Sequence, residues 1–310
     1  MVCAKIQSSM SPPTDQPLLS LDWSRLALYG KCVRDHASRY RVVYTSLALV
    51  IFVLGLFLSF MSIDAEDVTL RSVPLLVNFI VGAPLAIAMN AVSLQMAGRV
   101  VGQAVGFRSA FHTCATATAA NVLPIPVGAF LQSAVLVGHG ATIFSSGLVI
   151  ILGNIVLLTL VSILLGFNLI SVYPSAGWSL VATGFIGLMV CIVFLCRFHD
   201  WKLASAFLGT RIARILLMVV RLKLSFFAIG LDVSLLDASA FTGAVVLGAT
   251  VAVVPAGLGV SESLAALTAL AISIGPAIAF IAVALNRVST LVIAALLAGL
   301  LFVFSPADEK

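Results

Sequence analysis

The sequence predicts an all-α polytopic membrane protein: about six full spans plus two re-entrant broken helices, arranged as two inverted repeats. Two observations carry that reading. The chain is 61% hydrophobic and only 9% charged, with a mean hydropathy of +1.19. Soluble domains carry about 25% charged residues, so a soluble globule is excluded. The second observation is a pair of matched breaks, Pro124-Ile-Pro-Val-Gly128 and Pro255-Ala-Gly-Leu-Gly259, inside otherwise apolar runs. Each break is followed by an Asn in a long apolar run, Asn154 and Asn286, and then by Gly166 and Gly299. Proline removes a backbone donor and clashes with the preceding turn, while glycine tolerates a reversal. In hydrocarbon such a break is tolerated only where protein buries it or a polar cavity borders it. Interrupted segments in matching positions of two halves point to a transport site.

Residues 1–41 are polar, with Pro12, Pro13 and Pro17 and six Lys or Arg, and no cleavable signal pattern is expected. They read as a cytoplasmic tail. Leu18–Tyr40, with Trp23, Leu26 and Tyr29 among Arg25, Lys31 and Arg34, equally suits a helix lying on the membrane surface. Residues 42–304 form the transmembrane domain, and 305–310 a short tail. Val42–Ser62 is long enough to cross a core of roughly 30 Å. The acidic Asp64, Glu66 and Asp67 follow it. A basic leader and an acidic loop place the N-terminus in the cytoplasm. Val73–Met96 returns the chain to Arg99 and Arg108.

Phe111–Leu123 and Gly128–Gly138 reach only about 20 and 16 Å as helices, so neither spans alone. Charge decides how they lie. Beyond the spans Ile143–Gly166 and Trp178–Cys196, the stretch Arg197–Lys223 holds six basic residues and one acid. It falls on the cytoplasmic side only if the broken segment re-enters. From Arg211 the chain reads as an amphipathic helix along the inner interface, feeding a span that ends near Asp232 and Asp237. Ala238–Val254 and Val260–Ile274 flank the second break, which by repeat logic enters from outside, and Pro276–Phe304 is the last span.

Glu262 and Arg287 are the only Asp, Glu, Lys or Arg between Asp237 and the C-terminal tail. Arg287 lies 11 residues past Pro276, about 17 Å along a helix and so near mid-bilayer. An arginine there costs at least about 2.5–3.5 kcal/mol. Two readings stay open: the two residues pair to neutralise burial, or Arg287 meets an anionic headgroup. Asn121, Gln132, Asn154 and Asn286 are polar groups in membrane segments, where helix–helix hydrogen bonds are the default role. His112 and His139 suit interfaces better than proton relays. The five cysteines show no metal-type spacing. No H-E-x-x-H, G-x-S-x-G or Walker A sequence is present, so no enzyme activity, cofactor or metal is expected.

The stretch Val253-Val-Pro-Ala-Gly-Leu-Gly-Val-Ser-Glu-Ser-Leu264, with Ala284-Leu-Asn-Arg287 after it, resembles the transmembrane flippase domain of the lysylphosphatidylglycerol synthase family. Pro255, Gly257, Gly259, Glu262 and Arg287 match its late P-G-G-x-G-x-x-E element and following Arg; Ala256 and Ser261 depart from it. The earlier element, N-x-x-P-x-x-x-G-E-x-x-R, is met by Asn121, Pro124 and Gly128. Ala129 and Gln132 stand where Glu and Arg are common, which argues against an aminoacyl-phospholipid substrate. The resemblance covers about residues 42–304 and lacks the soluble aminoacyl-transferase domain. It implies a bacterial inner-membrane protein that moves a polar lipid between leaflets without ATP, through a cleft at the two broken helices. The implied substrate-binding residues are Arg287, Glu262, Asn286, Gln132, Asn121, Pro124, Gly128, Pro255, Gly257 and Gly259. Membrane lipids are the expected partners, with a lipid-biosynthesis enzyme or a second copy of the chain as further candidates and no nucleic acid. The alternatives are a secondary transporter of a small organic solute or ion, with Glu262 as its proton site, and a non-catalytic membrane partner of a lipid-modifying enzyme.

Overall fold

The computed structural model describes residues 46, 49–62, 70–121, 127–250 and 258–303. These residues form helices and no strand. They comprise α1 (Leu49–Met61), α2 (Ser72–Val100), α3 (Phe107–Ala120), α4 (Val127–Gly138) and α5 (Ile143–Leu169). Then come α6 (Pro174–Phe198), α7 (Trp201–Ala228), α8 (Leu235–Thr250), α9 (Val260–Ala271) and α10 (Pro276–Val303). Five of them, α2, α5, α6, α7 and α10, are long and apolar enough to cross a membrane. The start of the first expected span, before Leu49, lies outside the described residues.

Local sequence sets the boundaries. Thr142 caps α5, its hydroxyl accepting from the Ser145 N–H at 3.1 Å, which satisfies a donor the helix cannot. Pro174 and Pro276 open α6 and α10, where a missing N–H is harmless. The inward faces are rich in alanine: Ala83, Ala91, Ala110, Ala238, Ala265, Ala279 and Ala282 are all buried. Many large apolar side chains also face outward, as Ile186, Val190 and Val193 do on α6. In lipid there is no water to drive large side chains inward, so close backbone approach through small residues holds helices together. Gly166, Gly177 and Gly184 seat α5 against α6 in this way, each with a backbone atom of the partner helix within 3 Å of where a Cβ would stand.

The order of long helix, short pair and long helix occurs twice, in α2–α5 and in α7–α10. The packing repeats with it. Helix α2 packs on α7, α3 on α10 and α8 on α5, while α4 lies on α5 as α9 lies on α10. Gly55 and Phe52 of α1 meet Phe280 of α10, the counterpart of α6 against α5. Exchanging each helix for the one five places later maps these pairs onto each other, so the packing pattern occurs twice. The internal repeat inferred from two prolines extends to the whole described bundle.

The short pair α3–α4 folds back on itself. Gly98, near the end of α2, lies against Val105 and against Leu136 of α4, and a Cβ at Gly140, just past α4, would stand 3.6 Å from the Gln103 side chain. Helices α8 and α9 meet at their facing ends, where Gly248 abuts the Ser261 backbone and the Ser261 hydroxyl donates to the Val245 carbonyl at 3.2 Å. Both tips, residues 122–126 and 251–257, lie outside the described residues, and with them Pro124, Pro255 and Gly257. At one end of the bundle the Arg71 N–H donates to the Ala228 carbonyl at 2.7 Å. The other end gathers Val100, Ser145, Leu148, Phe198 and His199 around one recess.

One expectation needs correction. The stretch after Arg211 is no interfacial helix feeding a separate span: α7 runs unbroken from Trp201 to Ala228. Arg211 and Arg221 are turned inward, 6% and 4% exposed. Glycines on neighbouring helices make the room. The Arg211 guanidinium sits where a side chain at Gly153 would be, and the Arg221 stem lies 3.3 Å from where a Cβ at Gly82 would stand.

Candidate functional site

Helix α9 begins at Gly259, whose φ of +78° is a conformation that favours glycine. Its N–H donates to Glu262 Oε2 at 2.9 Å, so the carboxylate closes the first turn as an acid at the third helical position does. A negative charge there also complements the helix dipole. The other oxygen, Oε1, lies 3.2 Å from Arg287 Nη1, with the two side chains 0% and 12% exposed respectively. The pair expected from the sequence forms, and it ties α9 to α10. Arg287 is the twelfth of 28 residues in α10, close to the middle of a helix long enough to span.

A second buried guanidinium enters the same stretch of α10 from α7. Arg221 Nε donates to Asn78 Oδ1 at 3.0 Å. Its Nη2 donates to Thr290 Oγ1 at 2.7 Å, to Ser289 Oγ at 3.1 Å and to the Asn286 carbonyl at 3.3 Å. Asn78 is itself held, donating from Nδ2 to Ser225 Oγ at 2.9 Å. Asn78–Gly82 form a π turn within α2, a feature frequent at functional sites. A Cβ at Gly82 would stand 2.8 Å from Asn78 Oδ1. All the hydrogen-bond partners of Arg221 among the described residues are neutral. Burial of a charge is costly unless hydrogen bonds replace its water, and here an amide, two hydroxyls and a carbonyl do so.

Asn286 joins the two arginines. Its carbonyl serves Arg221, its neighbour is Arg287, and its own Oδ1 is buried with no hydrogen-bond partner among the described residues. The centre thus holds two guanidiniums, one carboxylate and one unused acceptor, at the junction of α2, α7, α9 and α10. Guanidinium groups present planar forks of donors that match phosphate and carboxylate. What such a centre can do chemically is hold an oxyanion in exchange for Glu262.

No family model and no curated protein matches this chain. The pattern around Pro255 and Arg287 remains a resemblance, and the functional reading rests on the geometry.

The other sequence candidates are placed as follows. Asn121 ends α3, and its Oδ1 fills the space beside Gly128, 2.6 Å from where a Cβ would stand. Those two residues therefore bring the end of α3 against the start of α4. Gln132 is half-buried in α4. Pro124, Pro255 and Gly257 lie outside the described residues. Arg221, Asn78, Ser289 and Thr290 were not anticipated. The available signals were Gly82 four residues after Asn78, and two hydroxyl residues just after Asn286-Arg287.

Proposed function

We propose that this chain moves a polar lipid between leaflets of the bacterial inner membrane, as a multi-pass protein without enzymatic activity and with its N-terminus in the cytoplasm. The observation that carries the reading is the excess of positive charge in the buried centre, Arg221 and Arg287 against Glu262 alone. An anionic headgroup displaces Glu262 from Arg287 on entry, and Glu262 returns to release it. The lipid tails stay in hydrocarbon while the headgroup passes the interrupted pair α8–α9. In this account both short pairs are re-entrant, each dipping from one face of the membrane. Three crossings (α1, α2 and α5) then separate equivalent points of the two halves, which gives the halves opposite topology. The adjacency of Gln103 and Gly140 supports the hairpin, and the resemblance to the flippase-domain family agrees with the whole.

Complete burial of the Glu262 side chain favours a second reading, a secondary carrier for a small organic anion with a closed central site. Purified protein in proteoliposomes carrying headgroup-labelled reporter phospholipids separates the two. Reporter lipids that become accessible to an external quencher faster than in protein-free vesicles support lipid movement. Movement no faster than in protein-free vesicles, across zwitterionic and anionic lipids alike, sinks it and favours the carrier.

A further inference from the structure

We propose a second oxyanion site in the bundle, formed by Arg211 and Arg214 of α7, that takes a phosphate group. It stands independently of the lipid-movement reading and away from Arg287. Arg211 lies ten residues before Arg221, about 15 Å along the helix.

Arg211 is only 6% exposed. Its guanidinium is positioned from two sides, by the Phe207 ring 4.9 Å away and by Gly153 of α5, where any side chain would displace it. Its Nε is buried and has no hydrogen-bond partner among the described residues. Arg214 stands three residues on and therefore on the same face. It is half-buried.

Among the described residues no helix supplies a counter-charge. Within the ten helices the only acids are Asp237, at the start of α8, and Glu262. Asp237 is bonded to Ser234 and Glu262 is paired with Arg287. None of the helices packed against α7 carries an acid except α8, with Asp237 in its first turn. A solvated surface arginine needs no partner, but a buried one with an idle donor does. Two guanidiniums on one face, one preset by glycine and phenylalanine and the other partly open, suit a single oxyanion bridging them. Free phosphate and a phospholipid headgroup share that chemistry.

The test uses the full chain in detergent, melted with inorganic phosphate against chloride at matched ionic strength. A parallel series uses micelles doped with phosphatidylglycerol or phosphatidylcholine. The comparison is with the double variant Arg211→Gln/Arg214→Gln. Wild type should gain about 3 °C with a near-saturating ligand. The double variant should melt at or above wild type without ligand, since it loses a buried charge with an idle donor, and should gain clearly less than wild type, keeping only the response of the Arg287 centre. A response to inorganic phosphate identifies a free oxyanion, and a response to phosphatidylglycerol alone identifies a headgroup. Arg287→Lys should keep the part of the gain that the double variant loses, so a failure of lipid movement and a failure of this site are told apart. Equal gains in wild type and double variant, no gain with either ligand, or a double variant that melts lower without ligand would each overturn the proposal.

Discussion

Glu262 has its two oxygens on different duties: Oε2 accepts from the Gly259 N–H at 2.9 Å, and Oε1 lies 3.2 Å from Arg287 Nη1. One carboxylate thus starts helix α9 and fastens it to α10. A ligand that draws Arg287 away would undo this fastening at Oε1 while Oε2 still holds the helix start. That link between a charge and a helix start is what the lipid-movement account uses.

The pair should be coupled in stability. Removing one member of a buried ion pair costs about 3–5 kcal/mol, while replacing both can be nearly neutral. Arg287→Met is expected to lower the melting temperature and folded yield in mild detergent, and adding Glu262→Gln to restore part of the loss. Strictly additive losses would show that the pair contributes no coupling.

Arg221 should depend on its neutral partners. Thr290→Val removes the shortest of its four hydrogen bonds among the described residues, at 2.7 Å, and leaves a buried donor short of an acceptor, an effect of about 1–3 kcal/mol. Gly82→Ala puts a methyl group 2.8 Å from Asn78 Oδ1 and should displace the amide that Arg221 Nε uses. Both variants are expected to melt lower than wild type, and unchanged melting in both would remove Arg221 from the list of structural centres.

The second short pair depends on Gly248, where a Cβ would come within 2.5 Å of Ser261 Cα and 2.7 Å of its N. Backbone cannot yield as a side-chain tip does, so Gly248→Ala should cost about 1–3 kcal/mol. Gly147 makes the control, because nothing lies within 4 Å of a Cβ there. Gly147→Ala should be neutral or gain up to about 1 kcal/mol from helix propensity. Equal effects at the two sites in thermal melts would contradict the close approach.

The first short pair makes a prediction about sidedness. Single cysteines at positions 103 and 141, in a chain whose native cysteines are replaced, should label from the same side of intact cells or oriented vesicles. Labelling from opposite sides would end the re-entrant reading of α3–α4 and the inverted topology with it.

Much of the bundle was legible because its signals are coarse. Apolar length marked the long helices, and prolines at 124 and 255 marked the short pairs. The Glu262–Arg287 pair was legible because two lone charges in an apolar stretch have few other ways to be buried. Arg211 and Arg221 were misread for a physical reason. Basic residues near membrane spans usually mark the interface, and only three-dimensional packing reveals that Gly153 and Gly82 open room for them inside. The Asn78 contact was invisible too, since it depends on a π turn and a partner 143 residues away.

The most direct test of the central claim is lipid movement by Arg287→Lys in proteoliposomes with headgroup-labelled phospholipids. Lysine keeps the charge that pairs with Glu262 but loses the two-pronged geometry that suits phosphate. The account predicts that this variant folds and inserts like wild type yet moves lipid at least about tenfold more slowly. That ratio corresponds to the loss of roughly 1.4 kcal/mol of headgroup binding in the transit step. Glu262→Gln should insert as well and slow release of the headgroup. Lipid movement at the wild-type rate in both variants would contradict the account and leave Glu262 and Arg287 as a structural fastening between α9 and α10.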